Sequence, residues 1–208
     1  LVIGVIVSPS LKWELQDGNV AYIELFHFSE KAGRDFRRAS QEITTSKAQY
    51  IVLDMRNNPG GFLDVAVDIA GWFLEQGSVV VTEELKDASK QRVHEAKGTA
   101  SLLSYPLVVL INEGSASASE ILAGALRDNR STLLVGKQSF GKGSVQEVEN
   151  LRDESSLKVT VAKWLTPKGT VIQDIGLKPD IEVEKTPEDE DKELDPQLDK
   201  ALEVLKNL

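Results

Sequence analysis

The run Pro106-Leu107-Val108-Val109-Leu110-Ile111 is apolar at every position and is bounded by turn residues. A strand open to solvent on one side alternates apolar and polar residues, whereas one apolar throughout is covered on both faces. This segment therefore reads as a central strand. Behind it, Asn112-Glu113-Gly114-Ser115-Ala116 turns into a helix from about Ser117 to Asp128, with Ile121, Leu122 and Ala125 inward.

The same grammar recurs. Gln49 to Met55 reads as a buried strand, closed by Arg56-Asn57-Asn58-Pro59-Gly60-Gly61. A helix follows from Leu63 to Glu75, carrying Val65, Val67, Ile69, Ala70 and Phe73. Asn19 to Phe28 is rich in β-formers, and Ser29 is placed to cap a helix with Ala32, Phe36, Ala39 and Ile43 at helical spacing. Ser78–Thr82 and Leu133–Val135 are further short strands, and the polar segment Glu83 to Ser101 is expected to be an exposed excursion. Val145–Leu151 and Leu157–Leu165 form a hairpin across Arg152-Asp153-Glu154-Ser155. Strands alternating with helices predict an α/β fold with a covered, mostly parallel sheet.

The tail differs in composition. An acidic run from Glu188 to Asp195 precedes a helix opened by Asp195-Pro196, with Leu198, Ala201, Leu202 and Leu205 on one face. We divide the chain into a core, residues 1–185, and an acidic linker with a C-terminal helix, residues 186–208. That apolar face is expected to pack on its own domain, the other reading being a homo-oligomer contact.

Composition removes several function classes. A 41% apolar share over 208 residues builds one sizeable core. With no cysteine, disulfides, thiolate metal sites and a cysteine nucleophile are excluded. His27 and His94 are the sole histidines, too few for a multi-histidine metal centre. A net charge of −9 opposes a general grip on nucleic acid or anionic lipid. Leu1 to Val7 is apolar but far short of a spanning helix, and it lacks the flanks of a signal peptide. The chain opens in strand-like sequence, so we read it as a mature form or an excised domain.

Two strand ends can carry chemistry, because loops and helix N-termini converge at the carboxyl edge of such sheets. Asn58-Pro59-Gly60-Gly61 and the Asn112–Glu120 turn are small and glycine-rich, so backbone N–H groups can approach a ligand there. Those are the components of an oxyanion hole. Three serines at alternate positions, Ser115, Ser117 and Ser119, leave the nucleophile open. A serine needs a base, and both histidines read as ordinary structural or surface residues. The alternative is a lysine held neutral by burial. Lys142, in Phe140-Gly141-Lys142-Gly143-Ser144-Val145-Gln146, stands between two glycines ahead of an apolar strand, with Gln146 four residues on to hold its nitrogen. Plain turns and helix caps also look like this. A phosphate loop is disfavoured, since Gly143 stands where that motif needs a hydroxyl.

Taken together, Asn57-Asn58-Pro59-Gly60-Gly61, the Asn112–Ile121 block and the Phe140–Gln146 block resemble the signature blocks of the carboxy-terminal processing peptidases. The resemblance continues through Lys163-Trp164-Leu165-Thr166-Pro167 and Ile175-Gly176-Leu177-Lys178-Pro179-Asp180-Ile181, and so spans nearly the whole chain. It implies a crotonase/ClpP-like α/β core with a mixed sheet covered by helices, plus a β-hairpin and a C-terminal helix. It implies a serine endopeptidase with Ser117 as nucleophile, Lys142 as general base and Gln146 supporting the lysine. The N–H groups of Ala118 and of the Gly60/Gly61 pair would form the oxyanion hole. Asp128 matches an acidic position of the family, but its place at a helix C-terminus reads as structural. The implied substrates are proteins with apolar C-terminal tails, met outside the cytoplasm, and no metal or cofactor is required.

Most members of the family that this chain resembles carry a PDZ domain ahead of the segment near Trp13. No PDZ-like stretch is found here, and residues 1–12 are read as the remnant of its connection. An activating partner or PDZ domain is therefore an open requirement. Two rival readings share the fold: a non-catalytic peptide- or ligand-binding module, and an acyl-CoA enzyme of the crotonase type. Intact Ser117, Lys142 and Gln146 count against the first, and the lack of a basic cluster for nucleotide phosphates against the second.

Overall fold

The computed structural model describes residues 9–85, 90–150 and 155–208. Along the chain these form β1 (Leu11–Gln16), β2 (Val20–Leu25), α1 (Ala32–Thr45), β3 (Tyr50–Asp54), α2 (Leu63–Phe73), β4 (Val79–Leu85) and β5 (Gln91–Glu95). There follow β6 (Leu107–Ile111), α3 (Ala118–Arg130), β7 (Leu133–Gly136), β8 (Ser144–Asn150), β9 (Ser156–Leu165), β10 (Ile181–Glu182), α4 (Pro187–Asp191) and α5 (Pro196–Leu205).

Six strands make the central sheet, in the order β1-β2-β3-β6-β7-β10. Strands β2, β3, β6, β7 and β10 run parallel, and only β1 is antiparallel to its neighbour. As its sequence requires, β6 is wholly buried in the middle. Alternate residues of the central strands enter two separate cores. Ile51, Leu53, Val109 and Ile111 join Phe36, Ile69, Phe73, Leu122 and Leu126 from α1, α2 and α3. Val52, Val108, Leu110 and Val135 instead meet Ala201 and Leu205 of α5. The C-terminal helix thus closes the second face of its own sheet.

Three expectations are corrected. Lys31, not Ser29, stands at the N-cap of α1, and the Ser29 hydroxyl pairs with Ser10 at 2.7 Å. The polar excursion contains structure: β4 runs on to Leu85 and pairs with β5 in a second, antiparallel sheet, β5-β4-β9-β8. Its polar sequence hid β5, because an edge strand exposed on both faces has no apolar alternation to detect. The acidic linker holds the short helix α4, capped reciprocally by Thr186 and Asp189. The hairpin strands form as β8 and β9; residues 151–154, like Leu1–Val7, lie outside the described residues.

Candidate active site

The turns after β3 and β6 meet at the carboxyl edge of the sheet and are stitched together by asparagine. Asn57 N–H donates to Asn112 Oδ1 at 2.7 Å, and Asn112 Nδ2 returns a bond to Asn57 Oδ1 at 2.9 Å. Buried Asn58 anchors the glycine loop: its Nδ2 donates to Leu25 O at 2.6 Å and its Oδ1 accepts Gly60 N–H at 2.9 Å. Its carbonyl accepts from Ala116 N (3.0 Å) and Ser119 Oγ (2.9 Å).

These bonds separate the three serines. Ser115 is buried, and its hydroxyl donates to Met55 O at 2.7 Å. Ser119 is equally buried and committed to Asn58 O. Ser117 is half-exposed and donates its hydroxyl to none of the described residues. Its backbone is held at φ 57°, ψ −114°, at the N-cap of α3. A non-glycine residue reaches that region at a cost of about 1–3 kcal/mol, a common property of functional turns.

Gly60 presses against this turn. A methyl group there would lie 2.6 Å from Ala116 O and 2.8 Å from Ser117 Cβ. Gly61 (φ 146°) bridges to Phe28, whose carbonyl a methyl on Gly61 would overlap. Of the glycine pair, Gly60 N–H is already taken by Asn58, whereas no described residue accepts the N–H of Gly61 or of Ala118. Of the expected oxyanion donors, Gly61 and Ala118 thus keep N–H groups that bond no described residue.

Lys142 departs from expectation. It is exposed, and among the described residues neither Gln146 nor Ser117 bonds its nitrogen. It opens onto a cavity of ≈ 610 Å³ with Phe140, Ser144, Gln146, Gln173 and Asp174, and Ser117 is not on that cavity's wall. Lys142 precedes β8, which is the edge strand of its sheet among the described residues.

Glu120, which the sequence reading passed over, joins the two halves. It is fully buried. Its Oε2 accepts the N–H of Ser117 at 2.8 Å and of Lys142 at 2.9 Å. Its Oε1 accepts Ser139 Oγ–H at 2.6 Å and Gly141 N–H at 2.7 Å. A buried carboxylate with four donors is strongly held. The available signal was an acidic residue three positions after the N-cap serine, the capping-box spacing. Asp128 accepts Lys168 N–H at 2.9 Å, in the last turn of α3. Ten residues from Ala118 at 1.5 Å per residue put it about 15 Å from the serine turn. His27 is half-buried beyond β2, and His94 lies on β5 against Glu83 at 3.1 Å. Among the described residues no group of three or more acidic or histidine side chains is arranged to hold a metal ion.

Comparison with known proteins sets this arrangement in context. The sequence model of a family described as peptidase family S41 matches residues 19–183. The carboxy-terminal-processing protease of Bartonella bacilliformis is 42% identical over 189 residues, covering 89% of this chain and 43% of that protein. The carboxy-terminal processing protease CtpA of Bacillus subtilis is 36% identical over 171 residues, 82% of this chain and 36% of that one. Among solved structures, a photosystem II D1 C-terminal processing protease superposes with a TM-score of 0.77 at 33% identity, covering 86% of this chain and 49% of the other. The chain spans less than half the length of each of these relatives.

Proposed function

Since the chain belongs to peptidase family S41, among relatives named carboxy-terminal processing proteases, we propose that it is a serine endopeptidase cleaving protein substrates near apolar C-terminal tails. One observation carries the reading. Of three alternate serines only Ser117 donates its hydroxyl to no described residue, and it stands on a strained turn against which Gly60 packs.

In this mechanism Lys142, neutral, takes the Ser117 proton as Oγ attacks the peptide carbonyl. The N–H groups of Gly61 and Ala118 receive the negative charge on the carbonyl oxygen. The Lys142 ammonium then returns its proton to the leaving amine, giving an acyl-enzyme. A water, deprotonated by Lys142, hydrolyses that ester and regenerates Ser117. Gln146 lines the same cavity without bonding the lysine in this structure, and its assigned part is to hold the Lys142 nitrogen once the lysine is turned toward Ser117. Lys142 is exposed and away from Ser117, so the proton transfer calls for closure over both, by the substrate or by a partner such as a PDZ domain. Phe140 is exposed on that cavity's wall and suits an apolar substrate side chain. The setting is extracytoplasmic, consistent with bacterial and chloroplast relatives. No helix among the described residues is long and apolar enough to cross a membrane.

The test is to incubate the chain and its Ser117→Ala variant with an unfolded protein ending in small apolar residues, following products by mass spectrometry. Cleavage by the parent alone is expected. Equal cleavage by both would remove Ser117 from the mechanism. If neither cleaves and a serine-directed fluorophosphonate fails to label Ser117 in the parent, the binding-module reading replaces this one.

A further inference from the structure

We propose that Arg56, clamped by the amino end of α5, is a positioning residue for the glycine loop, so that the C-terminal helix belongs to the working site. The inference rests on the peptidase reading for its kinetic consequence, and on geometry alone for its structural one.

Arg56 leaves the end of β3 directly ahead of Asn57 and Asn58. Every N–H of its guanidinium is engaged. Nε donates to Asp54 Oδ1 and Oδ2, each at 3.0 Å, and Nη2 to Asp54 Oδ2 at 2.6 Å. Nη1 reaches Asp195 Oδ1 at 2.8 Å and Gln197 Oε1 at 3.0 Å, and Nη2 also reaches Asp195 Oδ2 at 2.8 Å. Tyr22 closes the cluster by donating to Asp54 Oδ2 at 2.6 Å. Exposed ion pairs contribute little, but this arginine side chain is only 11% exposed and both its carboxylates are held bidentately. Burial alone would raise the Asp195 carboxyl, yet the Arg56 bonds and charge and the Leu198 N–H hold it below its usual range.

Both halves of the clamp are tied onward. Asp195 caps α5 through Leu198 N–H at 3.0 Å, and Gln197 Nε2 donates to Val183 O at 2.8 Å. On the other side, Asn57 bonds Asn112, and Asn58 holds Gly60, Ala116 and Ser119. The exit angle of Arg56 from β3 therefore sets where Asn57 and Asn58 can stand. Those two residues set the spacing between Gly61 and the Ser117 turn. Freed from Asp195, the guanidinium has two donors facing no acceptor and turns toward water, drawing the backbone of Asn57 with it. The structure joins α5, which lies beyond the 19–183 family match, to the loop that the sequence places 139 residues earlier.

Three variants of the full chain test this: Asp195→Asn, Gln197→Ala and, as a packing control, Leu205→Ala, which loosens α5 without touching Arg56. The readouts are fluorophosphonate labelling of Ser117, amide hydrogen exchange at residues 57–61, kcat and KM on a cleaved peptide, and the thermal midpoint. Asp195→Asn is expected to slow labelling at least tenfold and to speed exchange at 57–61 tenfold, with kcat reduced and KM little changed. Gln197→Ala does the same in smaller measure and serves if Asp195→Asn does not fold. Leu205→Ala lowers the midpoint at least as far while labelling at the parental rate. Labelling that merely follows the midpoint across all three variants, or parental exchange at 57–61 in Asp195→Asn, overturns the proposal. If the parent itself does not label while exchange responds as described, the peptidase reading fails and the positioning role stands.

Discussion

Replacing Glu120 by glutamine should disconnect the serine turn from the lysine loop while leaving the shape of the side chain intact. One oxygen survives to accept one pair of donors, either Ser139 Oγ–H with Gly141 N–H or Ser117 N–H with Lys142 N–H. The other pair then faces an amide NH2, which is itself a donor. Each buried polar group left unpaired costs about 1–3 kcal/mol, so two lost bonds cost about 2–6 kcal/mol. Part of a typical domain's total stability of about 5–15 kcal/mol is therefore at risk. The assay is urea unfolding with the slope compared between variants, together with the rate of fluorophosphonate labelling at Ser117. Ser139→Ala supplies the gentler comparison: it removes one donor to Glu120 and the acceptor of Leu177 N–H, 2.7 Å away. Because the two residues share a bond, the double variant should lose less than the sum of the single losses. A Glu120→Gln protein within about 1 kcal/mol of the parent, labelling at the parental rate, would refute the claim that this carboxylate holds the two loops in register.

Other perturbations have equally direct readouts. Gly61→Ala drives a methyl into Phe28 O at a positive φ, and should destabilise the fold and abolish labelling, whereas Gly77→Ala, open on all sides, costs only about 1–2 kcal/mol of left-handed strain and spares labelling. Tyr22 has its phenol raised above the usual 10.0, first by burial and then by the charge and hydrogen bond of Asp54. Its folded value lies above its unfolded one, so its contribution is intact below pH 10 and is lost as pH climbs beyond that. Alkaline unfolding of the parent should therefore steepen above about pH 10, and Tyr22→Phe should flatten that limb; identical profiles in the two proteins would count against the assignment.

Local pattern carried much of the architecture. The unbroken apolar run of β6, the helical spacing of Phe36 and Ile43, and the Asp195-Pro196 start of α5 each report burial or capping within a few residues, and each is realised. The family blocks marked the two turns and the lysine loop from sequence alone. The resemblance already pointed to Ser117, but that Ser115 and Ser119 are committed elsewhere is visible only in the tertiary fold, because their partners are the carbonyls of Met55 and Asn58, about sixty residues away. The same distance in sequence conceals the Glu120 junction and the Arg56 clamp, whose partners leave no periodic trace beside them. Strand β5 went unread because a polar edge buries too little to imprint a pattern. Hydrophobic periodicity is written by the face an element buries, so it is legible one element at a time. Which hydroxyl stays uncommitted, which carboxylate is shared and which lysine is left uncovered follow from the crossing of chains remote in sequence, and only their packing decides them.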